Sequence, residues 1–191
     1  TEGGEPRPFT SGLYRDGSPR WSPDGKYLAF LSNRDPGEVE GDKREYGAQL
    51  YVMPTSGGEA RRLTAIKGGV LNFAWSPDGT RIAFQAAVGP EGPEFLDGEA
   101  TAKDKPEDKA QDELDRLYAK FNKDVKHLTR IFYRFDGTGY LENRRSQIFV
   151  LDIREALARQ PGEFVRPLQI TTGDYDHRDL AWSPDGTRIA V

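Results

Sequence analysis

Apolar residues gather along this chain in short runs, each closed off by glycine, proline or aspartate. Tyr27-Leu28-Ala29-Phe30, Arg81-Ile82-Ala83-Phe84 and Arg188-Ile189-Ala190-Val191 are such runs, too short for helices and suited to strands. Each follows the same five residues: Trp21-Ser22-Pro23-Asp24-Gly25, Trp75-Ser76-Pro77-Asp78-Gly79 and Trp182-Ser183-Pro184-Asp185-Gly186. Proline presets φ at the second position of a tight turn, aspartate can bond its own backbone two residues on, and glycine accepts the positive φ that closes the turn. Such a turn between two β-prone runs predicts a hairpin. Three copies predict a repeat protein.

The first unit spans 18–64, with strands predicted at 18–21, 27–32, 49–53 and 61–64. Its loop at 34–48 is charged, carries Gly37, Gly41 and Gly47, and reads as exposed. The second unit spans 71–172. It opens with strands at 71–75 and 82–85, and its third strand, Gln147-Ile148-Phe149-Val150-Leu151, echoes Gln49-Leu50-Tyr51-Val52-Met53. A third unit starts at 179–191. Three stretches end alike in threonine: Arg7-Pro8-Phe9-Thr10, Arg61-Arg62-Leu63-Thr64 and Val165-Arg166-Pro167-Leu168-Gln169-Ile170-Thr171. Residues 1–10 therefore read as the last strand of a preceding unit. Four short antiparallel strands in about 50 residues match one propeller blade. The expected fold is all-β: a single partial β-propeller domain over 1–191, an incomplete ring of four-stranded antiparallel blades that starts and stops inside blades.

The second blade carries an insertion at about 88–145. A glycine-proline linker (89–93) leads into an acidic stretch with Glu94, Asp97, Glu99, Asp104, Glu107 and Asp108. Leu114, Leu117, Tyr118, Phe121, Val125 and Leu128 then recur at helical spacing, which predicts an amphipathic helix from about 106 to 123 packed through its apolar face. Residues 129–135 alternate as a strand and Asp136-Gly137 turns it.

Composition narrows the function classes. Of 191 residues 36% are hydrophobic and 30% charged, and the net charge of −4 argues against nucleic acid as a general partner. No run approaches the roughly 18 apolar residues of a membrane span. There is no cysteine, hence no disulfide, thiolate zinc site or cysteine nucleophile, which suits a reducing compartment.

No catalytic constellation is visible. A hydrolase nucleophile elbow needs glycine two positions either side of serine; Ser56 has Gly58 after it but Pro54 before it. His127 and His177, the two histidines, have no acidic partner at a motif spacing. Asp24, Asp78 and Asp185 could be imagined as calcium ligands, but turn chemistry already explains them, so no metal or cofactor is expected. Trp21, Trp75 and Trp182 read as packing between neighbouring blades. The unusual feature is basic: Arg130 and Arg134 share one face of a predicted strand, and Arg144 and Arg145 return toward it. Guanidinium groups bind a carboxylate bidentately, which makes these four candidates for holding a peptide C-terminus or acidic side chain; the competing reading pairs them with the insertion's own acids.

With those residues placed, the chain resembles the β-propeller of the prolyl oligopeptidase family of serine peptidases, in its acylaminoacyl peptidase-like branch. The SPDG units alone are weakly specific; the stretch from Thr129-Arg130-Ile131-Phe132-Tyr133-Arg134-Phe135-Asp136-Gly137 to Arg144-Arg145-Ser146-Gln147 carries the resemblance. It implies a propeller that caps a C-terminal α/β-hydrolase domain bearing a Ser-Asp-His triad, gating and positioning short peptides. None of the catalytic motif falls in these residues. The resemblance further implies a cytoplasmic protein, with the hydrolase domain and short peptides as partners and a homo-oligomer as a candidate assembly. The alternative is a stand-alone Tol-type propeller, periplasmic, that binds protein partners.

Overall fold

The computed structural model describes residues 8–10, 14–34, 47–96, 134–135, 139–140 and 144–191. The first sheet is an antiparallel meander of β1 (Asp16–Trp21), β2 (Tyr27–Ser32), β3 (Gln49–Pro54) and β4 (Arg61–Arg62). The second opens with β5 (Val70–Trp75) and β6 (Arg81–Val88). A separate ribbon of β7 (Arg134–Phe135) and β8 (Gly139–Tyr140) intervenes before β9 (Arg145–Asp152) and β10 (Leu168–Gln169) complete the order β5-β6-β9-β10. A further hairpin joins β11 (Ala181–Trp182) to β12 (Ile189–Ala190). Among the described residues no helix is long and apolar enough to cross a membrane. The helix expected at 106–123 lies outside the described residues, as do Arg130, His127 and the Asp136-Gly137 turn.

Each hairpin turn is built the same way. The glycine N–H donates to the serine carbonyl at 2.9 Å in all three, with Gly25, Gly79 and Gly186 at φ near +70° (71°, 69° and 68°). The serine side chain then does what its carbonyl cannot. Ser22 Oγ accepts from the Tyr27 N–H at 2.9 Å and donates to Asp24 Oδ1 at 2.7 Å, while Asp24 Oδ1 accepts the Lys26 N–H. Ser76 with Asp78 and Ser183 with Asp185 repeat the arrangement, accepting from the Arg81 and Arg188 N–H groups. These bonds favour the ionised carboxyl. The serine hydroxyl foremost, then the amide two residues on, hold Asp78 and Asp185 down to about 2 from an ordinary 3.8, and Asp24 is lowered likewise.

The far side of each sheet is closed by a buried glutamine and a threonine. Thr64 Oγ1 donates to Gln49 Oε1 and accepts from the Leu50 N–H, both at 2.9 Å, while Gln49 Nε2 donates to Ile66 O at 2.8 Å. In the second sheet Thr171 Oγ1 donates to Gln147 Oε1 at 2.7 Å and accepts from the Ile148 N–H at 2.8 Å. This accounts for β4 and β10 being two residues long where longer strands were expected. A threonine hydroxyl replaces the carbonyl that a continuing strand would present to β3 or β9.

Both faces of the central strands are apolar, so each sheet must be covered twice. Ala29, Leu31, Leu50 and Val52 on one face of the first sheet meet Ile82, Phe84, Phe149 and Leu151 of the second in a single core. The opposite face of the second sheet, with Ala83 and Ile148, packs on Leu180, Trp182 and Ile189. Leu28, Phe30, Tyr51 and Met53 form a separate buried cluster on the remaining face of the first sheet. Cross-strand rings stack in both sheets: Phe30 on Tyr51 at 5.9 Å and Phe84 on Phe149 at 5.3 Å.

One element escaped the sequence reading, the short helix α1 (Ile153–Ala158) after β9. Asp152 caps it by accepting from the Glu155 N–H at 3.0 Å, and Ile153 and Ala156 enter the main core. Its C-terminal carbonyls are met from the other sheet, by Arg61, which donates to Leu157 O at 2.7 Å and to Arg159 O.

Two outcomes follow from these bonds. Gln49→Ala would orphan the buried Ile66 N–H and the Thr64 hydroxyl, so urea unfolding should show a loss of about 2 kcal/mol, more than for the exposed Gln160→Ala. Because Asp78 and Asp185 have depressed pKa values in the folded state, their contribution is present above about pH 4 and lost as pH falls toward 2. Asp78→Asn with Asp185→Asn should therefore flatten the decline of Tm with acid between those limits, leaving the slope above pH 5 unchanged.

Candidate functional site

The predicted arginines end in different places. Arg134 begins β7, opposite Tyr140. Arg144 precedes β9 and Arg145 is its first residue, and the two side chains diverge. Arg144 Nη2 lies 3.8 Å from Glu94 Oε1, whose other oxygen takes Lys67 Nζ at 2.7 Å. Glu94 is itself held in place because its carbonyl accepts the Lys67 N–H and the Leu96 N–H donates to Ala65 O. Arg144 thus pairs with an acid of the insertion, the pairing that competed with a ligand-binding role.

Arg145 turns the other way and borders a cleft of about 610 Å³. One wall is the end of β6 and the loop Gly89-Pro90-Glu91-Gly92, pinched by the Gly92 N–H donating to Gly89 O at 3.1 Å. The other is the segment 172–174 after β10, with Gln147 and Gln169 between them. Gln147 anchors that second wall, because its amide donates to Gly173 O at 3.0 Å and Tyr175 O at 3.2 Å. Arg145 Nε donates to Asp174 Oδ1 at 2.9 Å and to Asp174 O at 3.2 Å, and Nη1 to Arg144 O at 3.1 Å. The arginine side chain is 17% exposed and the aspartate 59%, so the pair is half in solvent.

This arrangement offers a planar cation, amide groups and two backbone walls. It suits a ligand with a carboxylate or a peptide backbone, for which Asp174 competes as the resident anion. Sequence reasoning found Arg145 but not Asp174, Gln169 or the glycine loop, since no spacing links positions 91, 145, 169 and 174. Gln147 did carry a signal, its match to Gln49. His177 contributes its backbone N–H to Ser146 O, and among the described residues no three histidine, aspartate, glutamate or cysteine side chains gather as a metal site would require. The turn aspartates are engaged by their own serines and amides.

No family model matches the chain. It is similar to the uncharacterized peptidase YuxL of Bacillus subtilis (strain 168), 36% identical over 186 residues, which are 97% of this chain and 23% of that protein. It is also similar to dipeptidyl-peptidase 5 of Porphyromonas endodontalis, 30% identical over 88 residues, 46% of this chain and 11% of that one. Among solved structures it superimposes on the uncomplexed acylaminoacyl peptidase of Pyrococcus horikoshii with a TM-score of 0.51 at 16% identity, covering 91% of this chain and 20% of that one. The relatives are peptidases, and this chain spans less than a quarter of the length of either. The last likeness is one of fold, mostly β with antiparallel sheets.

The half-solvated Arg145–Asp174 pair sets an expectation for a double-mutant cycle. Arg145→Ala and Asp174→Ala should couple by less than about 1 kcal/mol in denaturant unfolding, and salt should shrink the coupling further. A coupling of about 3 kcal/mol or more would mean a desolvated pair and a cleft closed to ligand.

Proposed function

We propose that this chain is the propeller portion of a serine peptidase of the prolyl oligopeptidase family, acylaminoacyl peptidase-like, that gates and positions short peptides for an α/β-hydrolase domain of the same protein. The observation that carries the reading is the 36% identity across 97% of this chain to a peptidase of which it spans 23%. A match so complete on one side and so partial on the other suits a domain that accompanies a catalytic one.

The fold supports the finer reading. β1 lies against β5 and β5 against β11, so the first strands of successive units run side by side while their sheets stack face to face. Blades about a common channel have this relation. A ring of such blades admits narrow, flexible substrates and excludes folded ones by size. In this reading Arg145, on the rim of its cleft, meets a peptide carboxylate. The reaction belongs to the hydrolase domain: its triad serine attacks the scissile carbonyl, and these residues contribute access and orientation. The protein works in the cytoplasm on short peptides.

The product of the complete reading frame, assayed on acylaminoacyl p-nitroanilides and on peptides of increasing length, should hydrolyse the short substrates and be silenced by a serine-directed covalent inhibitor. Its kcat/KM should fall by about tenfold or more between short peptides and an unfolded chain of some hundred residues, since a size filter acts on entry rather than on chemistry. The 191-residue chain alone should be inert. Turnover that the inhibitor leaves untouched, or that is indifferent to substrate length, would sink the proposal.

A further inference from the structure

The contacts between successive units repeat, and at one position the repeat has no counterpart among the described residues. Trp75 Nε1 donates to Arg20 O at 3.2 Å, and Trp182 Nε1 donates to Ala74 O at 3.1 Å. Arg20 and Ala74 are in each case the residue just before the preceding unit's own tryptophan. The turns nest in the same order: a Cβ placed on Gly79 would touch the Pro23 ring at 3.4 Å, and one on Gly186 the Pro77 ring at 3.6 Å. Each seam is thus written by one indole donor, one main-chain acceptor and one glycine against one proline.

Trp21 and Gly25 stand where Trp75 with Gly79 and Trp182 with Gly186 stand, yet among the described residues no hairpin lies against them. Among the described residues no carbonyl accepts from the Trp21 indole, and nothing lies within 4 Å of a Cβ on Gly25. Trp21 is 55% exposed, against the half-buried Trp75 and Trp182, with Phe9 edge-on to its ring at 5.8 Å. The complementary half is displayed at the other side of the array. Arg81 donates to Gly186 O at 3.0 Å and lies 5.0 Å from the Trp182 ring centre. Arg188 occupies the matching position of the third hairpin and is exposed, and Ala181 and Pro184 hold there the sequence positions that Ala74 and Pro77 hold in the second.

We propose that the Trp21 edge of β1 is a docking seam for a further Trp-Ser-Pro-Asp-Gly hairpin of the same polypeptide. Its bond is the indole N–H of Trp21 to the main-chain carbonyl of the residue before that hairpin's tryptophan, and its contact is that hairpin's proline on Gly25. The occupant is fixed by continuity with two seams already formed, which use the same atoms in the same order. The seam rests on the reading of this chain as part of a longer ring, and it names the atoms through which the ring is joined.

Indole hydrogen exchange, followed by NMR on protein labelled at tryptophan and assigned with Trp21→Phe, tests it. In the 191-residue chain the Trp75 and Trp182 Nε1 protons should exchange slowly and that of Trp21 at least about tenfold faster. In the product of the complete reading frame Trp21 should slow to match the other two. Trp21→Phe keeps a ring and deletes the donor. It should lower the Tm of the complete protein about as much as Trp75→Phe does, and leave that of the 191-residue chain unchanged. Fast exchange of Trp21 in the complete protein, or an unchanged Tm there, overturns the seam. So does protection of Trp21 that appears in the 191-residue chain only as concentration drives it to dimerise, since the occupant would then be a second copy. Peptidase activity enters none of these readouts: an active enzyme with a fast Trp21 refutes the seam alone, and an inactive one with a protected Trp21 refutes the function alone.

Discussion

The serine hydroxyl at the head of each turn is the constraint from which the remaining structure follows. With the Ser22 carbonyl given to Gly25, the N–H of Tyr27 would have no acceptor at the point where β2 begins. Ser22 Oγ supplies one, and in donating to Asp24 it locks the loop at a fixed length. Register is the consequence. A slip of one residue would exchange the faces of β2, placing Ala29 and Leu31 where Leu28 and Phe30 now lie. The two faces are not interchangeable. Sheet one presents Ala29 to its neighbour and sheet two answers with Ile82 and Phe84, while the alanine in the same place of sheet two, Ala83, faces the third hairpin. Alanine of one sheet set against bulky residues of the next lets the sheets approach closely at that point, and the turn decides which face is which.

The other side of each sheet is governed by a different economy of hydrogen bonds. β4 and β10 have two residues each, too few to satisfy β3 and β9 by backbone pairing alone. Gln49 with Thr64, and Gln147 with Thr171, complete the work from side chains, and both glutamines also tie down the chain that leads onward. Gln147 thereby shapes the Arg145 cleft, since the carbonyls it holds, Gly173 and Tyr175, flank Asp174. The same device that finishes a sheet sets the position of the acid that faces Arg145. Arg61 adds a bond between sheets by meeting the open end of α1.

Much of this was legible because its causes are local. Trp-Ser-Pro-Asp-Gly names its own turn, and β2 covers the run 27–32 that its apolar pattern marks. The kinship of Gln49 with Gln147, and of Thr64 with Thr171, was visible as an echo, though not its meaning, which lies in bonds across the sheet. α1 went unread since its six residues hold too little periodicity to register, although Asp152 is an ordinary cap. At the site the limit was distance along the chain. Arg145 meets an acid 29 positions away through a segment with no regular structure, and nothing at either position announces the other. Arg144 was more accessible to reasoning, because Glu94 belongs to the acidic stretch that opens the insertion.

The seams give the array a direction, and direction limits what it can become. A donor indole on one side and an acceptor carbonyl on the other make a heterologous contact, which never satisfies itself by two-fold symmetry. Units joined this way either close into a ring or continue without end. Continuation would leave apolar faces open to aggregation at each terminus of the array, whereas closure would leave none. The twist of antiparallel sheets rotates each unit relative to the last by a consistent hand, and only a rotation without rise along its axis returns to the start. Two seams in this chain are formed with the same atoms, Trp75 to Arg20 and Trp182 to Ala74. In the ring proposed above, closure would give the Trp21 indole its acceptor.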